Sequence, residues 1–116
     1  MKDGTMYDQR DIVLIPFPYS DLTGSKKRPA LVISNSKLNK TEDRICCLIT
    51  SNVHRDDIEI KDSDFEERKL PFKSSVRAYR IFTIDQRIII KKLCKLKKSF
   101  HNKIIEKIND CLEKED

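Results

Sequence analysis

Residues 11–34, DIVLIPFPYSDLTGSKKRPALVIS, decide the fold. Residues 11–15 and 28–34 are short apolar runs rich in β-branched side chains, and such runs predict strands when Pro, Gly and Ser bound them. The connection between them, residues 16–27, is longer than an ordinary hairpin loop. Because long ordered loops are usually functional, this connection and Arg28 at the mouth of the second strand mark a candidate site.

The rest of the chain adds more strands and then a helix. Four further runs with strand character follow, with a turn at 83–86 before the last of them: 44–51, 57–60, 75–82 and 87–93. Short strands separated by turn signals predict a barrel or a sandwich. In residues 99–113 the apolar positions recur every three or four residues, which predicts an amphipathic helix with Ser99 as its N-cap.

The organisation that follows is a single small domain. The sequence predicts a loose N-terminal segment at residues 1–10 and one mainly β domain at residues 11–116, with the helix 99–113 packed against its strands. No secretory leader is evident in the polar N-terminus and no apolar run approaches the length of a membrane span. We therefore expect a soluble, cytoplasmic protein.

The charge balance indicates the class of partner. The 116-residue chain has a net charge of +5, and 37% of its residues are charged. A basic domain favours a polyanionic partner, nucleic acid first, although solubility alone also explains such a surface. The cysteines at 46, 47, 94 and 111 form no C-x-x-C pair, so neither a zinc site nor a disulfide framework is expected. Cys46 and Cys47 should point to opposite faces of their strand.

The quoted stretch resembles the opening of the MazF/PemK-like toxins, which are small endoribonucleases of type II toxin–antitoxin systems. The similarity continues through DIEIKDSDF, SSVRAYRIFTID and RIIIKKLCKL, and so covers residues 11–112. It implies an SH3-like barrel of about six strands with a C-terminal helix. It also implies a homodimer, a single-stranded RNA substrate in a groove across the dimer interface, and a small acidic antitoxin, with no metal and no cofactor.

The resemblance assigns roles to particular residues. The Arg of its R-P pair corresponds to Arg28, and its catalytic Thr corresponds to Thr50. A guanidinium offers a fork of donors suited to phosphate, and its permanent charge favours stabilising the transition state over moving a proton. Attack by the RNA 2′-hydroxyl would leave a 2′,3′-cyclic phosphate and a 5′-hydroxyl. The residues expected to contact RNA are Ser25, Lys27, Ser51 and Arg80.

Several points stay open at this level. Asp21 and the lysines of residues 91–98 are candidates for RNA contact, although the lysines equally suit a solvated strand edge that resists aggregation. Arg10 and Cys94 stand where the family usually has Gly, so those turns must be built differently. His54 and His101 are not expected to act. Two alternatives remain, a non-catalytic nucleic-acid-binding barrel and a toxin that acts on a protein such as gyrase.

Overall fold

The computed structural model describes residues 6–17 and 26–116. Within these ranges the chain forms one antiparallel sheet that curls into a nearly closed barrel, with strand order β4-β6-β3-β2-β1-β7-β5. The strands are β1 Asp11–Phe17, β2 Lys26–Val32, β3 Asp43–Thr50, β4 Ile58–Ile60, β5 Phe65–Glu67, β6 Ser74–Asp85 and β7 Lys91–Leu96. The helices are α1 Ser36–Asn39 and α2 Lys98–Leu112. The predicted mainly β fold with a C-terminal helix is confirmed.

The strand inventory differs from the prediction in the second half of the chain. Seven strands are described instead of about six, because β5 forms in the charged stretch expected to be a loop and pairs with β7 at the sheet edge. The predicted turn at 83–86 is wrong, since β6 runs on to Asp85 in register with β3. The chain instead turns in a 3₁₀ segment at Gln86–Ile88, and β7 begins at Lys91.

The start of α2 also differs. Its N-cap is Lys97, and Ser99 lies inside the first turn. The side chain of Lys97 makes no capping hydrogen bond, so the helix is held by the packing of its apolar stripe, as is usual for helices in folded domains. Neither helix in the described ranges is long and apolar enough to cross a membrane.

Apolar side chains are buried on both faces of the sheet, because successive strand residues alternate between faces. On one face, Ile12, Leu31 and Cys47 pack with α2 through Phe100 and Ile104. On the other face a second cluster forms from Val13, Ile15, Ala30, Val32, Cys46, Leu48 and Ile89. The two adjacent cysteines belong to different clusters, so the prediction that they point to opposite faces is confirmed.

Arg10 occupies the position before β1 where a glycine was expected. Its φ is 81°, in the left-handed region that costs a non-glycine residue roughly 1 kcal/mol. Compensating contacts hold it there, since Nη1 donates to Glu66 Oε1 at 2.8 Å and to the Leu96 carbonyl at 2.9 Å. Its backbone N–H donates to the Val32 carbonyl at 2.8 Å. The turn is therefore built from a strained arginine whose side chain ties β1 to the β5–β7 edge.

The left-handed conformation of Arg10 predicts that glycine is a more stable replacement than alanine at this position. Arg10→Ala and Arg10→Gly both remove the side-chain bonds, but only glycine also removes the left-handed strain. We expect Arg10→Gly to be more stable than Arg10→Ala by about 1 kcal/mol in urea unfolding. As a control, the same pair of substitutions at exposed Lys103 in α2 should rank in the usual order, with alanine more stable. Equal or greater stability of Arg10→Ala would contradict the strain.

Candidate active site

The register of the central strands brings Arg28 and Thr50 together. Ala30 of β2 lies opposite Leu48 of β3 in an antiparallel pair. The pairing is recorded as far as Ala30 and Leu48, and continuing this register two residues along each strand brings Arg28 level with Thr50. Residues directly opposite each other in a sheet present their side chains to the same face. The predicted guanidinium and hydroxyl therefore meet at one end of the β2–β3 pair.

A groove of about 360 Å³ opens at this point. Both Arg28 and Thr50 line it. The complete lining consists of the ends of β2 and β3 and one residue from the segment before β6, namely Lys26, Lys27, Arg28, Pro29, Ile49, Thr50, Ser51 and Phe72. Four of the six predicted site residues thus share the groove: Lys27, Arg28, Thr50 and Ser51. Ser25, like Asp21, lies outside the described residues.

The charged side chains described as lining the groove are all positive. Lys26, Lys27 and Arg28 are consecutive on its wall, and none of the residues described as lining it carries a carboxylate. Lys26 and Lys27 are exposed, whereas Arg28 is half-buried. A half-buried cation in a concave wall is less screened by solvent than a surface one. The groove is therefore suited to a polyanion, and Arg28 is its best placed cation for a close contact.

The oxygen of the Thr50 hydroxyl is held in place by a backbone hydrogen bond. Thr50 is 7% exposed, and its Oγ1 accepts a hydrogen bond from the Asn52 backbone N–H at 2.9 Å. Its distance to the Asn52 carbonyl oxygen is 3.4 Å, which is long for a hydroxyl bond. Since a lone pair of the oxygen takes the short bond, the hydroxyl proton can turn to a stronger acceptor in the groove.

Arg80 lies outside this groove. It is exposed on β6, beside an irregular stretch where Ile81 pairs with Cys47 and Arg77 already pairs with Leu48. The structure thus does not bring Arg80 together with the other predicted site residues.

Part of the lysine run at 91–98 is engaged in ion pairs. Lys92 Nζ lies 2.8 Å from Glu67 Oε1, and Lys95 Nζ lies 2.9 Å from the buried Asp11 Oδ1. The hydrogen bond to Glu67 raises the pKa of Lys92. These two lysines link β7 to β1 and β5, which supports the structural interpretation of this part of the run.

Other reactive side chains are unsuited to catalysis here. Burial raises the pKa of the Cys46 and Cys47 thiols to about 12, so both stay protonated at neutral pH. His101 is buried on α2, and burial, followed by the charge of Arg10, lowers its pKa. Across residues 6–17 and 26–116, no cluster of His, Cys, Asp or Glu has the geometry of a metal site.

Phe72 is the aromatic residue among the lining residues that the sequence prediction missed. It is 49% exposed and lines both this groove and a neighbouring cavity of about 480 Å³. The signal available in the sequence was an aromatic residue next to Pro71, in a connection that is mostly polar. Exposed aromatic rings beside cations are typical of surfaces that stack nucleobases.

A comparison with models of protein families finds a match that covers most of the chain. The family model described as PemK-like, MazF-like toxin of type II toxin–antitoxin system matches residues 8–112. No curated protein sequence matches the chain at a significant level.

Solved structures share the fold at low sequence identity. MazE–MazF from Deinococcus radiodurans is 20% identical, with a TM-score of 0.76 over 95% of this chain and 99% of that one. An endoribonuclease in complex with its cognate antitoxin from a mycobacterial species is 20% identical, with a TM-score of 0.74 over 91% and 94% of the two chains. The toxin MazF-mt6 of Mycobacterium tuberculosis is 17% identical, with a TM-score of 0.70 over 92% and 100%.

Proposed function

Since the chain belongs to the PemK-like, MazF-like toxins of type II toxin–antitoxin systems, we propose that it is an endoribonuclease that cleaves single-stranded RNA without a metal ion. The observation that carries the proposal is the shared groove of Arg28 and Thr50. An always-charged fork of donors and an oriented hydroxyl converge on one concave, cationic surface. Such an arrangement suits a phosphodiester whose charge increases during the reaction.

RNA supplies its own nucleophile in this reaction. The 2′-hydroxyl loses its proton as its oxygen bonds to phosphorus. The bond between phosphorus and the 5′-oxygen breaks with its electron pair, and the 5′-oxygen takes up a proton. The products are a 2′,3′-cyclic phosphate and a 5′-hydroxyl, and no water is consumed. The protein need only orient the phosphate, assist the two proton transfers and stabilise the negative charge.

The groove residues supply two of these tasks, the orientation of the phosphate and the stabilisation of its charge. Arg28 would donate to the non-bridging phosphate oxygens as their charge grows. Thr50 would donate its hydroxyl proton to a phosphate oxygen, since its lone pair is already engaged by Asn52. Lys27 and Ser51, exposed at the rim, would hold the neighbouring phosphates. Phe72 would stack on a base beside the scissile bond.

The remaining predicted contacts fall beyond the groove. Ser25 would hold a phosphate near Lys27, and Arg80 would contact RNA further along the strand. The comparison structures include a MazE–MazF complex and an endoribonuclease with its antitoxin. By analogy, we propose that this chain forms a homodimer and that a small acidic antitoxin covers the cationic groove.

Mapped RNA cleavage tests the proposal. Purified, antitoxin-free protein is incubated with a long single-stranded transcript in EDTA, and the product ends are determined. We expect discrete fragments whose 5′ ends accept phosphate from polynucleotide kinase without prior phosphatase treatment, as 5′-hydroxyls do. A transcript with 2′-deoxy substitution at the mapped site is the control and should stay intact. Folded protein that leaves RNA intact, or cuts only when a divalent cation is added, would contradict the proposal.

A further inference from the structure

The segment that follows β3 is hydrogen-bonded to the Thr50 side chain through a backbone N–H. We call residues 51–57, between β3 and β4, the post-β3 loop. Its Asn52 donates a backbone hydrogen bond to Thr50 Oγ1 at 2.9 Å. The position of the Thr50 hydroxyl therefore depends on where the loop places the backbone of Asn52.

A buried arginine from β6 holds the backbone of the same residue at its carbonyl. Nη2 of Arg77 donates to the Asn52 carbonyl at 3.0 Å. The same guanidinium binds Asp57 at the far end of the loop, with Nε at 3.0 Å from Oδ1 and Nη2 at 2.9 Å from Oδ2. One side chain thus clamps both ends of the post-β3 loop to β6.

The loop is closed from within as well. Asp57 Oδ2 accepts the His54 N–H at 2.7 Å, and the Asp57 N–H donates to the His54 carbonyl at 3.2 Å. Both of these bonds, like the ion pair with Arg77, involve Asp57. Loss of either partner of the ion pair would therefore loosen the loop as a unit.

The pair is charged and removed from water. The Arg77 and Asp57 side chains are 9% and 0% exposed. Burial alone opposes ionisation of Asp57, but the hydrogen bonds from Arg77 and the His54 N–H outweigh it and hold the pKa of the carboxyl below its ordinary value. Buried ion pairs contribute little net stability compared with apolar packing. Their better attested use is to specify one conformation.

We propose that the Arg77–Asp57 pair positions Thr50 for RNA cleavage by fixing the backbone of Asn52, whose N–H binds the Thr50 hydroxyl oxygen. Neither residue lines the groove, so both act through Thr50. This inference rests on the proposed nuclease function for its catalytic consequence, but the loop geometry stands independently of it. Displacement of a catalytic group by about 1 Å costs up to about 100-fold in rate.

A matched control is available on the same sheet. Arg44 of β3 is buried as well, and its guanidinium binds the N-terminal segment and the turn at residues 86–88, remote from Thr50 in the strand. Arg77→Met and Arg44→Met both remove a buried guanidinium. Only the first should affect the orientation of the Thr50 hydroxyl.

Kinetics with RNA separate positioning from folding. At a temperature where circular dichroism shows every variant folded, we expect Arg77→Met to lower kcat roughly 10- to 100-fold with KM changed less than about threefold. Asp57→Asn, a milder change that folds more readily, should act in the same direction, and Arg77→Lys should retain part of the rate. Arg44→Met should keep the parent kcat. In a Thr50→Ala background, single-turnover rates should show no further loss from Arg77→Met.

Other outcomes of these experiments would contradict the positioning role. Equal losses in Arg77→Met and Arg44→Met, a change in KM alone, or full multiplicative loss in the Thr50→Ala background would overturn the positioning role. If the parent protein cleaves no RNA, the proposed function fails. Hydrogen exchange then tests separately whether Arg77 holds the backbone of Asn52. The Asn52 amide should then exchange at least tenfold faster in Arg77→Met than in the parent or in Arg44→Met. An unchanged Asn52 rate would overturn the inference.

Discussion

Arg28→Ala should lower RNA cleavage by about 100- to 1,000-fold while the barrel stays folded. That range is the usual cost of removing one preorganised donor to a developing oxyanion. Arg28 is half-buried in the groove, so its charge acts on a phosphate with less solvent screening than an exposed lysine does. The two adjacent lysines at the exposed rim are not placed to replace it.

The comparison of Arg28→Lys with Arg28→Ala separates charge from geometry. Lysine retains a positive charge but loses the planar fork that matches two phosphate oxygens. We therefore expect Arg28→Lys to recover only part of the rate lost in Arg28→Ala. Single-turnover cleavage of one mapped site, with RNA binding measured separately, provides both quantities.

The matched control is Arg87→Ala. Arg87 is exposed beyond β6 and pairs with Asp85 at 2.6 Å, so its removal takes one positive charge from a surface away from the groove. We expect this variant to cleave like the parent. Cleavage by Arg28→Ala at the rate of Arg87→Ala would show that the guanidinium in the groove has no catalytic role.

The sequence signals at Arg28 and Thr50 were clearer than those in the second half of the sheet. Each of these two residues lies at the end of a well marked apolar strand, and the family resemblance pointed to both, so they could be proposed as a pair before the β2–β3 register was known. Local signals were misleading at residues 83–86, where the polar side chains of Thr83 and Asp85 resemble a turn. Pairing with β3 overrides that preference, as tertiary context often does.

Contacts between distant residues were beyond sequence reasoning. Arg77 appeared as one of several charged residues in a strand, and Asp57 as the first residue of another. Their ion pair depends on the exact loop path between β3 and β4, which no periodicity reports. The same applies to Arg10, whose left-handed conformation is supported by groups more than 50 residues away in sequence. The resemblance indicated only that the family usually has glycine at that position, which left open how arginine is accommodated there.

Arg44 provides the second large effect, on stability. Its side chain is 0% exposed and binds acceptors from three separate segments. Nε donates to the Tyr7 carbonyl at 2.9 Å, and Nη1 to the carbonyls of Thr41 and Asp43 at 2.9 and 2.8 Å. Nη2 donates to Gln86 Oε1 at 3.1 Å. One guanidinium therefore joins the N-terminal segment, the connection before β3 and the turn after β6.

Two opposing free-energy terms determine how Arg44→Met changes the stability of the fold. Removing the charge relieves a burial cost of several kcal/mol. It also leaves four oxygen acceptors without their donor, at about 1–3 kcal/mol for each one that water cannot reach, and it releases the three segments that the guanidinium joins. The second term is the larger, so we expect a loss of about 3 kcal/mol in the free energy of unfolding. For a chain of this size, such a loss lowers Tm by roughly 12 °C.

Urea unfolding and thermal melts of Arg44→Met measure this directly, with Arg80→Met as the matched control. Arg80 is exposed on β6, the strand next to β3, so the same substitution there removes a charge without exposing any buried acceptor. We expect the control to melt close to the parent, because surface substitutions away from such networks have small effects. If Arg44→Met melts with the control, the acceptors are satisfied in another way and the guanidinium is not what joins the three segments.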